Sequence, residues 1–435
     1  MAERKLFGTD GVRGSVGDFL TAELAQRLGR AATLQAGRDR PQVLVIRDTR
    51  ESGPMLEAAL ASGIAAAGGD ALLGGVLPSP AASVLVRRLG LDLAAVVSAS
   101  HNPYADNGIK FFGPSGVKLD DDAEAAIEAR LEEPADREPG RVRALEGARD
   151  DYLRELRTSF GIDLGGTRVA LDCANGATYR VAPAILERLG AELVLMADEP
   201  DGRNINDGCG ATAPEALAAL VAESEAQIGF AFDGDGDRVI AVDGDGRIHD
   251  GDELLALAAR HLAERGELAG GVAVTVMTNY GFQQALGAEG IEVAQTKVGD
   301  RYVIEALLAR DWNLGGEQSG HIIWTDFTPT GDGIAAALLT LRALGRRSLD
   351  QVVPFERLPQ RLENVEIADR GAIDGARELW RAVEEENSRL QGRGRVLVRA
   401  SGTEPVLRVM VEAPDESECE QIVARLVELT KRTLA

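Results

Sequence analysis

The chain has 435 residues, 45% of them hydrophobic, with 70 Asp plus Glu against 47 Lys plus Arg, a formal net charge of −23. That length calls for roughly three or four domains, and the acidic balance argues against nucleic acid or an anionic membrane as partner, since both need a basic face. No stretch approaches the roughly 18 apolar residues of a membrane span, no signal-peptide pattern opens the chain, and three distant cysteines (Cys173, Cys209, Cys419) form no metal-like spacing, so a reducing cytoplasm is the expected location.

In chain order, Phe7-Gly8-Thr9-Asp10-Gly11-Val12-Arg13-Gly14 sets an arginine in a glycine-rich turn. Its glycine spacing excludes a dinucleotide fingerprint, and a phosphate contact is the functional reading. Residues 43–46 read as a strand that leads through 47–50 into a helix ending near Gly68-Gly69. Residues 93–97 form a second apolar run, closed by Ser98-Ala99-Ser100-His101-Asn102-Pro103. Serine needs a base and a charge-stabilising group before it is a nucleophile, and Ser-His taken alone reads equally as turn chemistry. Lys110 follows closely, one of only five lysines, and that raises the functional reading. Residues 132–141, rich in charge and proline, suggest a surface excursion before a helix near 148–160.

The strand–turn–helix–glycine–strand pattern recurs from 169 through 172–176 to Gly190, and from 272 through 278–281 to Gly287 and 291–293. Three α/β units with substantially parallel sheets follow from it. Breaks near 152, 250 and 365 give domains 1–152, 153–250, 251–365 and 366–435. The last is a smaller α+β module with strands at 395–399 and 406–412 and a helix at 415–433. In such sheets ligands bind beyond the carboxyl ends of strands.

Asp233-Gly234-Asp235-Gly236-Asp237-Arg238 lies at such an end, after the buried-strand pattern of 228–232. Glycines at alternate positions let the three carboxylates converge. Two carboxylates about 4 Å apart repel by about 4 kcal/mol at an effective dielectric of about 20, so the trio needs a cation, and Mg²⁺ suits carboxylates shared with phosphate. An EF-hand is excluded, because Arg238 and Gly244 stand where its glycine and glutamate belong. Asp243-Gly244-Asp245-Gly246, between two apolar runs, predicts only a hairpin turn.

Two later segments complete the set. Gly315-Gly316-Glu317-Gln318-Ser319-Gly320-His321 has the donors and acceptors of a sugar-hydroxyl reader, and His321 reads as an acid or base or as a histidine satisfied in a turn. Arg399-Ala400-Ser401-Gly402-Thr403-Glu404-Pro405, with Arg408, has the make-up of a phosphate cradle; an ordinary strand-to-turn connection is the competing reading.

These five segments, in this order across the whole chain, resemble the α-D-phosphohexomutase family. The resemblance implies three α/β domains with mixed, largely parallel sheets plus a smaller α+β C-terminal domain around a central cleft. It implies a phosphoserine at Ser100 rather than Ser98, and one Mg²⁺ held by that phosphate with Asp233, Asp235 and Asp237. Arg13 and Arg238 are implied to offset transition-state charge, and Lys110 and His321 to serve as base and acid. Thr9, His101, Lys297, Asp300, Glu317 and Ser319 are implied to contact substrate, and Arg399, Ser401, Gly402, Thr403 and Arg408 to grip the non-reacting phosphate. The 7–14 segment, Gln318, and Thr296-Lys297-Val298-Gly299-Asp300-Arg301-Tyr302 point within the family to glucosamine 6-phosphate and glucosamine 1-phosphate, interconverted through a sugar 1,6-bisphosphate that also activates. Glucose or mannose phosphates, a Mg²⁺ phosphatase and a non-catalytic sensor are the rivals. A small-molecule sugar phosphate is the expected partner, and homodimerisation stays open.

Overall fold

The computed structural model describes residues 6–8, 10–352, 355–400 and 406–434. The chain divides into two compact units, Met1–Met277 with Ala294–Val353, and Thr278–Val293 with Pro354–Ala435.

The larger unit is built on mixed sheets. The first has the order Val12–Ser15, Asp106–Phe112, Leu93–Val97, Gln42–Arg47, Asp70–Val76, Val142–Ala144. The two pairings made by Asp106–Phe112 are antiparallel and the remaining three parallel. Leu93–Val97 is buried at every residue, as expected of a strand covered on both faces. Thr21 caps the helix Ala22–Gln35 by accepting the Leu24 N–H, and that helix crosses Gly53–Ala66 closely. A Cβ on Gly63 would fall 1.9 Å from the Gln26 carbonyl oxygen, so only glycine permits this crossing.

The second sheet runs Ile248–His249, Val239–Asp243, Ile228–Phe232, Arg168–Asp172, Glu192–Met196. Its last two pairings are parallel and the others antiparallel. In a third sheet Val272–Thr275 lies parallel to Leu314–Gly316, with Ile322–Trp324 antiparallel beyond it. The helix Gly333–Leu344 is buried almost all round, which its Ala- and Leu-rich sequence allows. The polar segments 98–103, 233–238 and 317–321 each follow the carboxyl end of a strand, where ligand sites form in α/β sheets.

The smaller unit has an antiparallel sheet, Gln360–Glu366, Val406–Glu412, Arg395–Ala400. The helices Arg377–Arg389 and Glu416–Leu434 share its core, which includes Leu379, Leu407 and Leu426. The first strand and first helix of this module were not among the sequence expectations. The helix Tyr280–Ala288, read from sequence as part of the third α/β unit, belongs to this compact unit. The Asn279 side chain exchanges hydrogen bonds of 3.0 Å with the Leu358 N–H and carbonyl, and Phe282 meets Phe355 edge-on at 5.8 Å.

Candidate active site

Ser100 lies in the loop that ends Leu93–Val97, buried, with the left-handed φ of +51°. Its Oγ donates to Asp233 Oδ2 at 2.5 Å, and the His101 ring Nδ1 lies 3.3 Å away. Asp233, Asp235 and Asp237 are 0%, 1% and 5% exposed, and one oxygen of each lies within 4.8 Å of the others. Gly234 permits this convergence. A Cβ there would sit 2.6 Å from the Ser100 carbonyl oxygen.

Lys110 Nζ is 2.6 Å from Asp235 Oδ2 and 3.7 Å from Asp237 Oδ2, and Ser79 Oγ also donates to Asp235. One cation does not balance three buried carboxylates. Burial, with the charges of Asp237 and Asp235, raises the Asp233 carboxyl well above its ordinary range. Burial opposes ionisation of Asp235 as well, but Lys110 holds it low. Burial likewise opposes ionisation of Asp237, and His321, Lys110 and Arg238 outweigh it. Asp235 Oδ1 and Asp237 Oδ1 are buried and make no hydrogen bond. Such acceptors are rare in a native interior unless an ion meets them, and an all-oxygen carboxylate set fits a hard divalent cation.

A cavity of about 430 Å³ opens beside the trio. It brings together Arg13, His101, Arg238, Asp300, Glu317, Ser319 and His321 from segments more than 300 residues apart. The buried Nε atoms of Arg13 and Arg238 make no hydrogen bond, leaving donors for an anion in the cleft. Burial and the charges of Arg238 and Arg13 lower the His101 pKa, so this ring stays neutral.

His321 is 2% exposed, and both ring nitrogens face polar groups. Nε2 accepts the Gly331 N–H at 3.0 Å, and Nδ1 faces Asp237 Oδ1 at 3.5 Å. Burial disfavours its charged form, but Asp237 and Asp300 raise its pKa overall. The Gly331 N–H requires a lone pair on Nε2, so in the neutral ring the proton sits on Nδ1, which faces Asp237 beyond hydrogen-bond contact. Burial lowers the Lys110 pKa and Asp235 and Asp10 more than restore it, which keeps this lysine a cation.

Lys118 and Asp10 were given no role from sequence. Lys118 Nζ lies 2.7 Å from Asp10 Oδ1 and also pairs with Asp300, while Asp10 pairs with Arg13. The Glu317 side chain accepts the Gly299 N–H at 3.0 Å, and Gln318 donates to Asp250 at 3.1 Å. Lys297 does not line the cavity; it is exposed, with Nζ 5.6 Å from the Tyr302 ring centre. In the smaller unit Arg399 and Arg408 are direct cross-strand partners. Burial, then Arg408, lowers the Arg399 pKa. Like charges in that register repel. Thr9, Ser401, Gly402 and Thr403 lie outside the described residues.

Models of the phosphoglucomutase/phosphomannomutase α/β/α domains I, II and III match residues 4–138, 150–246 and 250–358, and the C-terminal domain of the same family matches 362–429. The chain belongs to this family.

Among its phosphohexomutase relatives, the phosphoglucosamine mutase of Pelotomaculum thermopropionicum is 49% identical over 98% of this chain and 99% of its own length. That of Moorella thermoacetica is 51% identical over 97% and 98%. A solved phosphoglucomutase/phosphomannomutase family protein from Burkholderia thailandensis superposes with a TM-score of 0.84 at 26% identity, covering 98% of this chain and 97% of that one. The N-acetylphosphoglucosamine mutase of Aspergillus fumigatus, solved with GlcNAc-6P and magnesium, shares the fold at a TM-score of 0.68 and 19% identity, covering 100% and 96%. As a phosphohexomutase the chain is an intramolecular phosphotransferase. Among its described residues no helix is long and apolar enough to cross a membrane.

Proposed function

We propose that this phosphohexomutase is a phosphoglucosamine mutase, interconverting glucosamine 6-phosphate and glucosamine 1-phosphate in the cytoplasm and supplying UDP-N-acetylglucosamine synthesis. The observation that carries the reaction type is the 2.5 Å contact of Ser100 Oγ with a buried carboxylate trio beside a cavity with orphaned guanidinium donors. The full-length likeness to phosphoglucosamine mutases supports the sugar. The three buried, free cysteines suit a reducing compartment.

Phosphorylated Ser100 transfers its phosphoryl group to the free hydroxyl of the bound sugar phosphate. The Oγ–P bond breaks as the sugar O–P bond forms, giving the 1,6-bisphosphate, and the proton of the sugar hydroxyl ends on the freed Ser100 Oγ. After the intermediate turns over, its other phosphate returns to Ser100 Oγ. Asp233, Asp235, Asp237 and the phosphoserine would hold Mg²⁺, which neutralises charge on phosphoryl oxygens.

Arg238 and Arg13 bind the anion and stabilise charge as it spreads over the phosphoryl oxygens. Lys110, held charged, stabilises negative charge at the aspartates and the leaving Oγ. His101, neutral and 3.3 Å from Oγ, is placed to hold the proton at that oxygen. His321 serves by fixing Asp237. Glu317 and Ser319 bind sugar hydroxyls, and Arg399 with Arg408 grips the phosphate that does not react.

Intact-protein mass after incubation with glucose 1,6-bisphosphate and Mg²⁺ tests this. Wild type gains one phosphate at Ser100, Ser100→Ala gains none, and mutase turnover of the variant falls by about 10⁴-fold or more. Phosphate release by an active Ser100→Ala would point instead to a phosphatase. Higher kcat/KM on glucose or mannose phosphates would move the assignment to a phosphoglucomutase or phosphomannomutase.

A further inference from the structure

Arg50 is among the largest fully buried side chains of the described residues and does not line the cavity. A buried guanidinium is tolerated only when its donors are matched. Arg50 Nε donates to Asp48 Oδ2 at 2.8 Å. Nη2 donates to the carbonyls of Ser100 and Asn102, both at 2.8 Å. Nη1 donates to the Asp106 carbonyl at 3.0 Å and to that of Pro103. One side chain therefore holds three carbonyls of the Ser100 loop and that of Asp106, which opens the next strand.

Asn206 meets the same loop from another part of the chain. Its Nδ2 donates to the Ser100 carbonyl at 2.9 Å and to that of Asn102 at 3.2 Å. The other side of Ser100 is tied to the same ion pair. Ser98 Oγ accepts the Ser100 N–H at 3.0 Å and donates to Asp48 Oδ2 at 2.6 Å. Ser100 needs such restraint, because a left-handed φ is unfavourable for a non-glycine residue. Gly234 packs against the assembly, where a Cβ would lie 2.6 Å from the Ser100 oxygen and 2.7 Å from Asn206 Nδ2. Rotation of the Ser100 peptide would thus break the clamp and swing Oγ away from Asp233 together.

We propose that Arg50 and Asn206 form a two-sided clamp on the peptide of Ser100 that aims its Oγ at the aspartate trio, making both of them positioning residues for phosphoryl transfer. The inference rests on the reading of Ser100 as the phosphate carrier. A purely structural Arg50 would stabilise the loop without affecting transfer, and the two roles separate experimentally.

The test follows the rate of mass gain on rapid mixing of the full-length protein with glucose 1,6-bisphosphate and Mg²⁺. Mn²⁺ affinity, the KM for sugar phosphate and the urea midpoint are measured alongside. Arg50→Lys keeps the charge beside Asp48 but loses the fork. It is expected to slow phosphorylation of Ser100 by about 100-fold, with KM and Mn²⁺ affinity within about two-fold of wild type. Asn206→Ala leaves Arg50 in place and is expected to slow the step by about ten-fold. A lowered urea midpoint with a wild-type rate per folded molecule would overturn the clamp. Should Arg50→Lys not fold, the Asn206→Ala rate decides: slowed supports the proposal, unchanged overturns it. A wild type that takes up no phosphate removes the Ser100 reading, and the clamp's role with it.

Discussion

Asp-Gly-Asp-Gly occurs at 233–236 and again at 243–246, each time at the carboxyl end of a strand. In the second copy Asp243 is satisfied locally. Its Oδ1 accepts the N–H groups of Asp245 at 3.0 Å and Arg247 at 2.9 Å, its Oδ2 meets His249 Nε2 at 2.8 Å, and Asp245 reaches solvent. In the first copy all the carboxylates are buried, and Asp235 and Asp237 each keep an oxygen without a hydrogen bond. The same tetrapeptide makes a turn where two backbone N–H groups, a histidine and solvent meet its carboxylates, and a buried carboxylate cluster with two unmet oxygens where the fold encloses it. The third aspartate and Arg238 mark the difference in the sequence; the burial that enforces it comes from packing.

The largest test of this contrast exchanges one carboxylate in each copy. Asp235→Asn is expected to weaken Mn²⁺ binding by about 100-fold or more, whereas Asp245→Asn leaves metal affinity unchanged and stability within about 0.5 kcal/mol. Equal effects on metal binding, read by calorimetric titration, would break the contrast.

Asp172 is a third strand-end aspartate, intermediate between the two. It accepts the Ala174 and Gly210 N–H groups, yet burial pushes its carboxyl up to about 6. Because the folded pKa is raised, its contribution is greatest below the ordinary value of 3.8 and falls as pH rises through about 6. Relative to Asp172→Asn, wild type should lose about 3 kcal/mol between about pH 4 and about pH 6, measured by urea unfolding at each pH. A flat difference would mean that local N–H donors fully offset burial.

The smallest effect belongs to the hairpin. Burial opposes charge on His249, but Glu253 and Asp243 raise its pKa. Its ion pairs therefore contribute fully below about pH 6.5, and the contribution is lost as pH rises through the folded value. Hydrogen exchange of the 243–249 amides should accelerate beyond its intrinsic pH dependence in that window for wild type and not for His249→Gln.

Much of the site was legible because its chemistry is local. Glycines alternating with aspartates and a serine beside a histidine after an apolar strand each announce themselves within a few residues. Lys118 was not legible, because its partners Asp10 and Asp300 are 108 and 182 positions away. Arg50 was equally silent. An arginine in a polar turn reads as solvated until the fold shows four carbonyls converging on it. His321 was visible as a polar side chain, but only the Gly331 N–H and Asp237 show that both its nitrogens face polar groups.

The sequence by itself determined the strand ends, the turns and the residue types gathered there, since backbone preference and apolar periodicity act over a few residues. Tertiary structure alone decided which carboxylates lost their water, which cations met them, and which carbonyls hold Ser100 in its left-handed conformation. Desolvation and long-range ion pairing depend on what packs against a group, and no spacing along the chain encodes that.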